Sequence, residues 1–129
     1  MAEPAQLRRF LVSLRLAVGV AAIVMPRTLA RLFGINPVQN PSLPVIARLF
    51  GIREALMAYQ LYQVSDDELE EVLRQGIMVD GADIAAIFLS MLRGTASFRT
   101  FVLVAATGGT AMAAGILGRE ESPQPATSG

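Results

Sequence analysis

Apolar residues fill four long stretches of this chain, and polar residues and prolines gather between them. From Leu7 to Met25 the run is interrupted only by Arg8 and Arg9 at its front and by Ser13 and Arg15 inside it. Phe10–Met25 spans roughly 24 Å as a helix. Val45–Val64 predicts a second long helix, carrying Arg48, Arg53 and Glu54 and ending near Tyr59 and Tyr62. Ser65-Asp66-Asp67-Glu68 has the form of a capping box and opens a third, Glu68–Arg93, acidic in its first turn and apolar beyond Val72. Gly94–Ser97 breaks the chain, and Phe98–Leu117 predicts the fourth helix. No stretch alternates with a period of two, so an all-α fold is expected.

The connections are as informative as the runs. Pro26–Ile35 places Arg27 and Arg31 on one face and Leu29, Leu32 and Phe33 on the other, which predicts a short amphipathic helix suited to an interface. Asn36–Pro44 holds three prolines and reads as a loop. Gly118–Gly129 reads as a disordered polar tail, which leaves residues 1–117 as one domain.

The first and fourth runs have no polar stripe. Phe101–Leu117 offers only Thr107 and Thr110 as polar side chains, and Phe10–Met25 only Ser13 and Arg15. A soluble amphipathic helix needs a solvated face. Composition agrees: 53% of residues are hydrophobic and 17% charged, with a mean hydropathy of +0.48, against about 25% charged for an average soluble domain. The expectation is a four-helix transmembrane bundle with the short amphipathic helix between helices one and two. Its location would be the cell membrane, multi-pass, with the lipid bilayer as first partner. Arg8-Arg9 before an apolar run also resembles a signal peptide, but Pro26-Arg27 follows in place of a small-residue cleavage site, so an uncleaved first helix is expected. Ala105 and Gly109, then Ala111 and Gly115, keep the spacing that lets helices approach closely in lipid. Arg27, Arg31, Arg93 and Arg99 fall in the first and third connections, which the positive-inside rule assigns to the cytoplasm; Arg8-Arg9 argue the other way.

Charges inside apolar helices are costly and survive when paired. The long runs contain Arg15, Arg48 and Arg53 against Glu54, Asp80 and Asp83, a neutral set spread over helices one to three. These six residues are the candidate site. Three readings follow from them: ion pairs that fix helix register, a proton-carrying or ligand-binding pocket, or two carboxylates serving as acid and base on a lipid. Ala30-Arg31-Leu32-Phe33-Gly34-Ile35 recurs as Ala47-Arg48-Leu49-Phe50-Gly51-Ile52. The first copy runs into Asn36-Pro37 and is expected to end at Gly34, whereas the second continues its helix.

Several chemistries are excluded. The chain has no Cys and no His, which removes disulfides, thiol nucleophiles, His-based acid–base schemes and ordinary zinc or haem ligation. Glu54, Asp80 and Asp83 are set among arginines that compete with a cation, so no metal and no cofactor is expected. Net charge is zero, and no basic field exists to hold nucleic acid.

With four runs, an arginine-bearing first connection, Gly51-Ile52-Arg53-Glu54 in the second and Val79-Asp80-Gly81-Ala82-Asp83 in the third, the chain resembles small DoxX-like four-helix membrane proteins of actinobacteria, over most of Leu7–Leu117. The resemblance implies an integral membrane location and carries over no catalytic residue. The expected role is a subunit or accessory protein of a membrane system, joined to a membrane partner or to copies of itself. The alternatives are a proton-linked carrier or lipid-acting enzyme using Asp80, Asp83 and Glu54, and a soluble oligomeric helical module.

Overall fold

Prolines and glycines punctuate the chain, and they set where each helix begins and ends. The computed structural model describes residues 4–121, as five helices: α1 (Pro4–Val24), α2 (Pro26–Leu32), α3 (Leu43–Gln63), α4 (Asp66–Leu92) and α5 (Phe98–Glu121). No strand occurs among the described residues. Pro26 strips Met25 of helical geometry (φ −128°, ψ 58°), so α2 leaves α1 at 118°. Gly34, at φ +77°, ends α2: its N–H donates to the Arg31 carbonyl and that of Ile35 to the Ala30 carbonyl. Gly94, at φ +75°, closes α4 the same way through Met91 and Ser90. The two hexapeptide copies therefore part where expected, since Gly51 lies inside α3.

Three local expectations are corrected. Ser65 is the N-cap of α4, but its side chain makes no capping bond; the Glu68 N–H bonds the Ser65 carbonyl instead. Helix three starts at Asp66 and helix two at Leu43, because Pro44 is tolerated in a first helical turn. The polar tail expected from Gly118 is helical up to Glu121, and the rest of it lies outside the described residues.

The helices pack as two antiparallel pairs. α1 lies along α3, α4 along α5, and α1 also touches α5, while α3 and α4 meet only sparsely. The first pair is tight because two glycines face each other. A Cβ on Gly51 would stand 2.5 Å from the Gly19 carbonyl oxygen, and one on Gly19 would stand 2.8 Å from that of Gly51. In the second pair Gly115 accepts Ile77 and Gly108 accepts Ile84. Of the small-residue spacings noted in the sequence, Ala111 and Gly115 are buried. Gly109 has nothing within contact distance of its missing Cβ, and Gly108 takes the place expected of it.

The resulting core is made of small residues and leucines: Ala22, Ala58, Ala111 and Ala114 are buried with Leu11, Leu61, Leu69 and Leu73. Large apolar side chains turn outward, among them Leu56 (63% exposed), Leu92 (65%) and Val24 (68%). α4 and α5 are long and apolar enough to cross a membrane, and α1 with α2 forms a third candidate if the bent pair counts as one span. α3, interrupted by Arg48, Arg53 and Glu54, is not among them.

Replacing Gly51 by Ala forces the α1–α3 backbones apart, and is expected to cost about 1–3 kcal/mol. Replacing Gly109 by Ala meets no atom, and is expected to be neutral or to stabilise by up to about 1 kcal/mol. Unfolding of both variants in detergent checks this pair.

Candidate functional site

Arg15 is the meeting point of three helices. It projects from the middle of α1, and its Nη1 donates to Glu54 Oε2 of α3 at 3.0 Å and to Asp80 Oδ1 of α4 at 3.2 Å. Its Nη2 donates to Asp80 Oδ2 at 2.7 Å, giving a two-pronged guanidinium–carboxylate contact. All three residues are about 5% exposed. Arg15 has room because Gly76 of α4 lies against it, where a Cβ would stand 3.1 Å from Nη2.

A second arginine extends the network outward. Arg53 Nη2 donates to Glu54 Oε1 at 3.3 Å and to Asp83 Oδ2 at 2.6 Å, and Nη1 reaches Asp83 Oδ1 at 3.2 Å. Its guanidinium also lies 4.8 Å from the centre of the Phe50 ring. Five of the six candidate residues thus form one continuous set: Arg53 and Arg15 alternate with Asp83, Glu54 and Asp80.

Arg48 is the exception. It is exposed, and its Nε donates to the Ile23 carbonyl at 3.2 Å, near the end of α1. The expected balance of three against three therefore becomes two guanidinium groups against three carboxylates. One negative charge is in excess.

Two cavities lie on either side of this network along the helix axes. The larger, about 300 Å³, runs between α1, α2, α3 and α5. Arg15, Glu54, Asp80 and Asp83 line one end, and Ala22, Pro26, Leu29 and Ile46 the other. The smaller, about 100 Å³, lies beyond Arg15 and is lined by Leu11, Gln60, Gln75 and Gly76. Arg15 and Ala111 border both. A single charged layer separates the two spaces.

A further arginine, unremarked in the sequence except as a flanking charge, closes the smaller cavity's end of the fold. Arg8 donates from Nε to the Leu61 carbonyl at 2.9 Å, and from Nη2 to the carbonyls of Tyr62 and Val64. It thereby satisfies the last turn of α3 and also stands 3.5 Å from Asp66 at the start of α4. Its signal in the sequence was weak, since α3 ends without a glycine and nothing marks what bonds its carbonyls. Arg119, assigned to the tail, pairs with Glu70 at 3.2 Å. Among the described residues no group of three or more His, Cys, Asp or Glu is placed to hold a metal ion.

No family model, curated protein or solved structure matches this chain. Its function is read from its own residues.

Arg15→Met leaves Glu54 and Asp80 buried without their shared partner and is expected to cost about 3–5 kcal/mol. Arg48→Met is expected to change stability by no more than about 0.5 kcal/mol. Chemical unfolding in one detergent compares the two. A similar loss in both variants contradicts the network described here.

Proposed function

We propose that this chain is a small multi-pass integral membrane protein, a four-helix transmembrane bundle in which α2 lies at the interface. Its role is that of a subunit or accessory protein of a membrane system, and its polar core is the Arg15–Glu54–Asp80 network. One observation carries this reading: in the most apolar 18-residue window of α4 only 6% of the residues are buried, and in that of α5 22%. Apolar side chains left unburied over most of these windows require an apolar surrounding. Small residues at the helix contacts fit the same picture, because close backbone approach replaces hydrophobic sorting when both sides are apolar. α3 is admitted to the bilayer by its partners: its Glu54 and Arg53 are matched by Arg15 and Asp83. The likeness to small DoxX-like membrane proteins belongs to this proposal, as does association with a membrane partner or a second copy.

A second reading is favoured by the paired cavities. Two spaces separated by one charged layer suit a carrier that moves a small solute past Arg15, with Asp80, Asp83 and Glu54 as the proton-linked groups.

Expressed in cells and fractionated, the protein is expected to stay in the membrane pellet through an alkaline carbonate wash and to need detergent for release. Recovery in the soluble fraction rejects the membrane reading and leaves an oligomeric module whose partner covers α4 and α5.

A further inference from the structure

The larger cavity has a shape and a charge that together select one class of ligand. Along α1 it runs from Arg15 to Ala22, about 10 Å at 1.5 Å per residue. Its far walls are hydrocarbon, Val18, Leu29, Phe33 and Val104, and its open side is bordered by Phe50 and the exposed Ile46. An occupant needs an apolar body to fill this volume, which lies at the lower end of the range for small-molecule sites, about 300–1,000 Å³.

Its near end is charged, and the sign of that charge is set by the network. Arg15 already donates to Glu54 and Asp80, and Arg53 to Glu54 and Asp83. These are the charged groups that meet at this end of the cavity; Arg48 bonds the Ile23 carbonyl outside it, and Arg27 and Arg31 of α2 are exposed. Each carboxylate oxygen accepts one N–H from an arginine and keeps a further lone pair. Two guanidinium groups against three carboxylates leave the end with acceptors to spare and a net negative charge. An anion placed there adds repulsion, screened in part because Arg53 and Asp83 are partly exposed, whereas a cation neutralises the set.

We propose that this cavity binds a lipophilic monocation: an amine with a compact apolar body, its ammonium group against Asp80, Asp83 and Glu54 and its body between α1, α2, α3 and α5. The site deepens the carrier reading by naming the solute class, and it stands as a binding site even where no transport occurs. Ala47 lines the apolar part, away from the carboxylates, and limits how far the body extends.

The test uses the purified full chain with tritiated 4-phenylbutylamine, competed by 4-phenylbutan-1-ol and by 5-phenylpentanoate, which keep the apolar body and change the head. Saturable binding of one amine per chain is expected, with the alcohol competing about tenfold more weakly, the scale of one ionic contact in a partly screened site. The carboxylate is expected not to compete. Ala47→Phe, which fills the apolar part, abolishes saturable binding. Asp83→Asn, which balances the network, removes the preference for amine over alcohol, and Arg53→Gln, which adds a second uncompensated charge, strengthens it. The wild-type competition is decisive without either variant. No saturable binding, or a carboxylate that competes as well as the amine, overturns the proposal. An alcohol that competes equally shows that a proton held in the network already meets the excess charge, and also overturns it. Amine binding without movement into sealed vesicles keeps this site and rejects the carrier reading alone. A protein recovered without detergent is assayed in buffer by the same competition.

Discussion

The arrangement depends on one guanidinium group. α1 and α4 stand across the centre from each other with no close backbone approach among the described residues, and Arg15 spans the gap to Asp80 at 2.7 Å. Through Glu54 the same side chain holds α3. The α1–α3 pair is fastened by the glycine crossing and the α4–α5 pair by its own small residues. Between the pairs α1 packs on α5 and a leucine–alanine core joins the four long helices, and the charged layer adds the directional tie of α1 and α3 to α4. Arg8 adds a second tie at one end, bonding the end of α3 and standing near the start of α4. A buried ion pair is not in itself a strong source of stability, because desolvation offsets the attraction; its value here lies in register. Once the helices are assembled, no arrangement that separates Arg15 from both carboxylates leaves those charges satisfied.

The same layer explains why the interior is not filled. Small residues dominate the helix contacts and large apolar ones turn outward, so the space on either side of Arg15 is left as cavities in place of interlocking side chains. α2 matters to this. Its bend at Pro26 brings Leu29, Ala30 and Phe33 over the end of the larger cavity, while Arg27 and Arg31 stay exposed. A short helix that reads in the sequence as an interfacial element is at the same time a wall of the candidate binding site.

Much of this was legible beforehand, and the failures have physical causes. Pro26, Gly34, Pro37 and Gly94 marked the breaks correctly, since each acts locally on the backbone. The charged set was visible because charge in an apolar run is costly wherever it points. Which members meet was not visible: α3 is apolar nearly all round, so no polar stripe shows which of its faces turns inward. Glu54 faces α1, and Arg48, six residues earlier on a different face, bonds a carbonyl instead. Choosing Gly109 over Gly108 was the same one-residue error of face. The excess negative charge followed from removing Arg48, and the cavity from packing, so neither could be read from spacing. That α5 is long and apolar enough to cross a membrane was legible from its lack of a polar stripe. The same reading of the first run fails in part, since α1 qualifies only together with α2, while α4 qualifies despite its acidic first turn and α3 does not.

The central claim, that Arg15 holds the two helix pairs together, is tested most directly by a distance. The chain has no cysteine, so Ser13→Cys in α1 and Met78→Cys in α4, both at exposed positions, can carry spin labels alone. Pulsed electron resonance on this pair, with and without Arg15→Met, compares the separation of α1 from α4. A single narrow distribution that broadens or shifts when Arg15 is replaced is the predicted result. An unchanged narrow distribution would show that packing alone fixes the two pairs, and that the charged layer is not what the fold depends on.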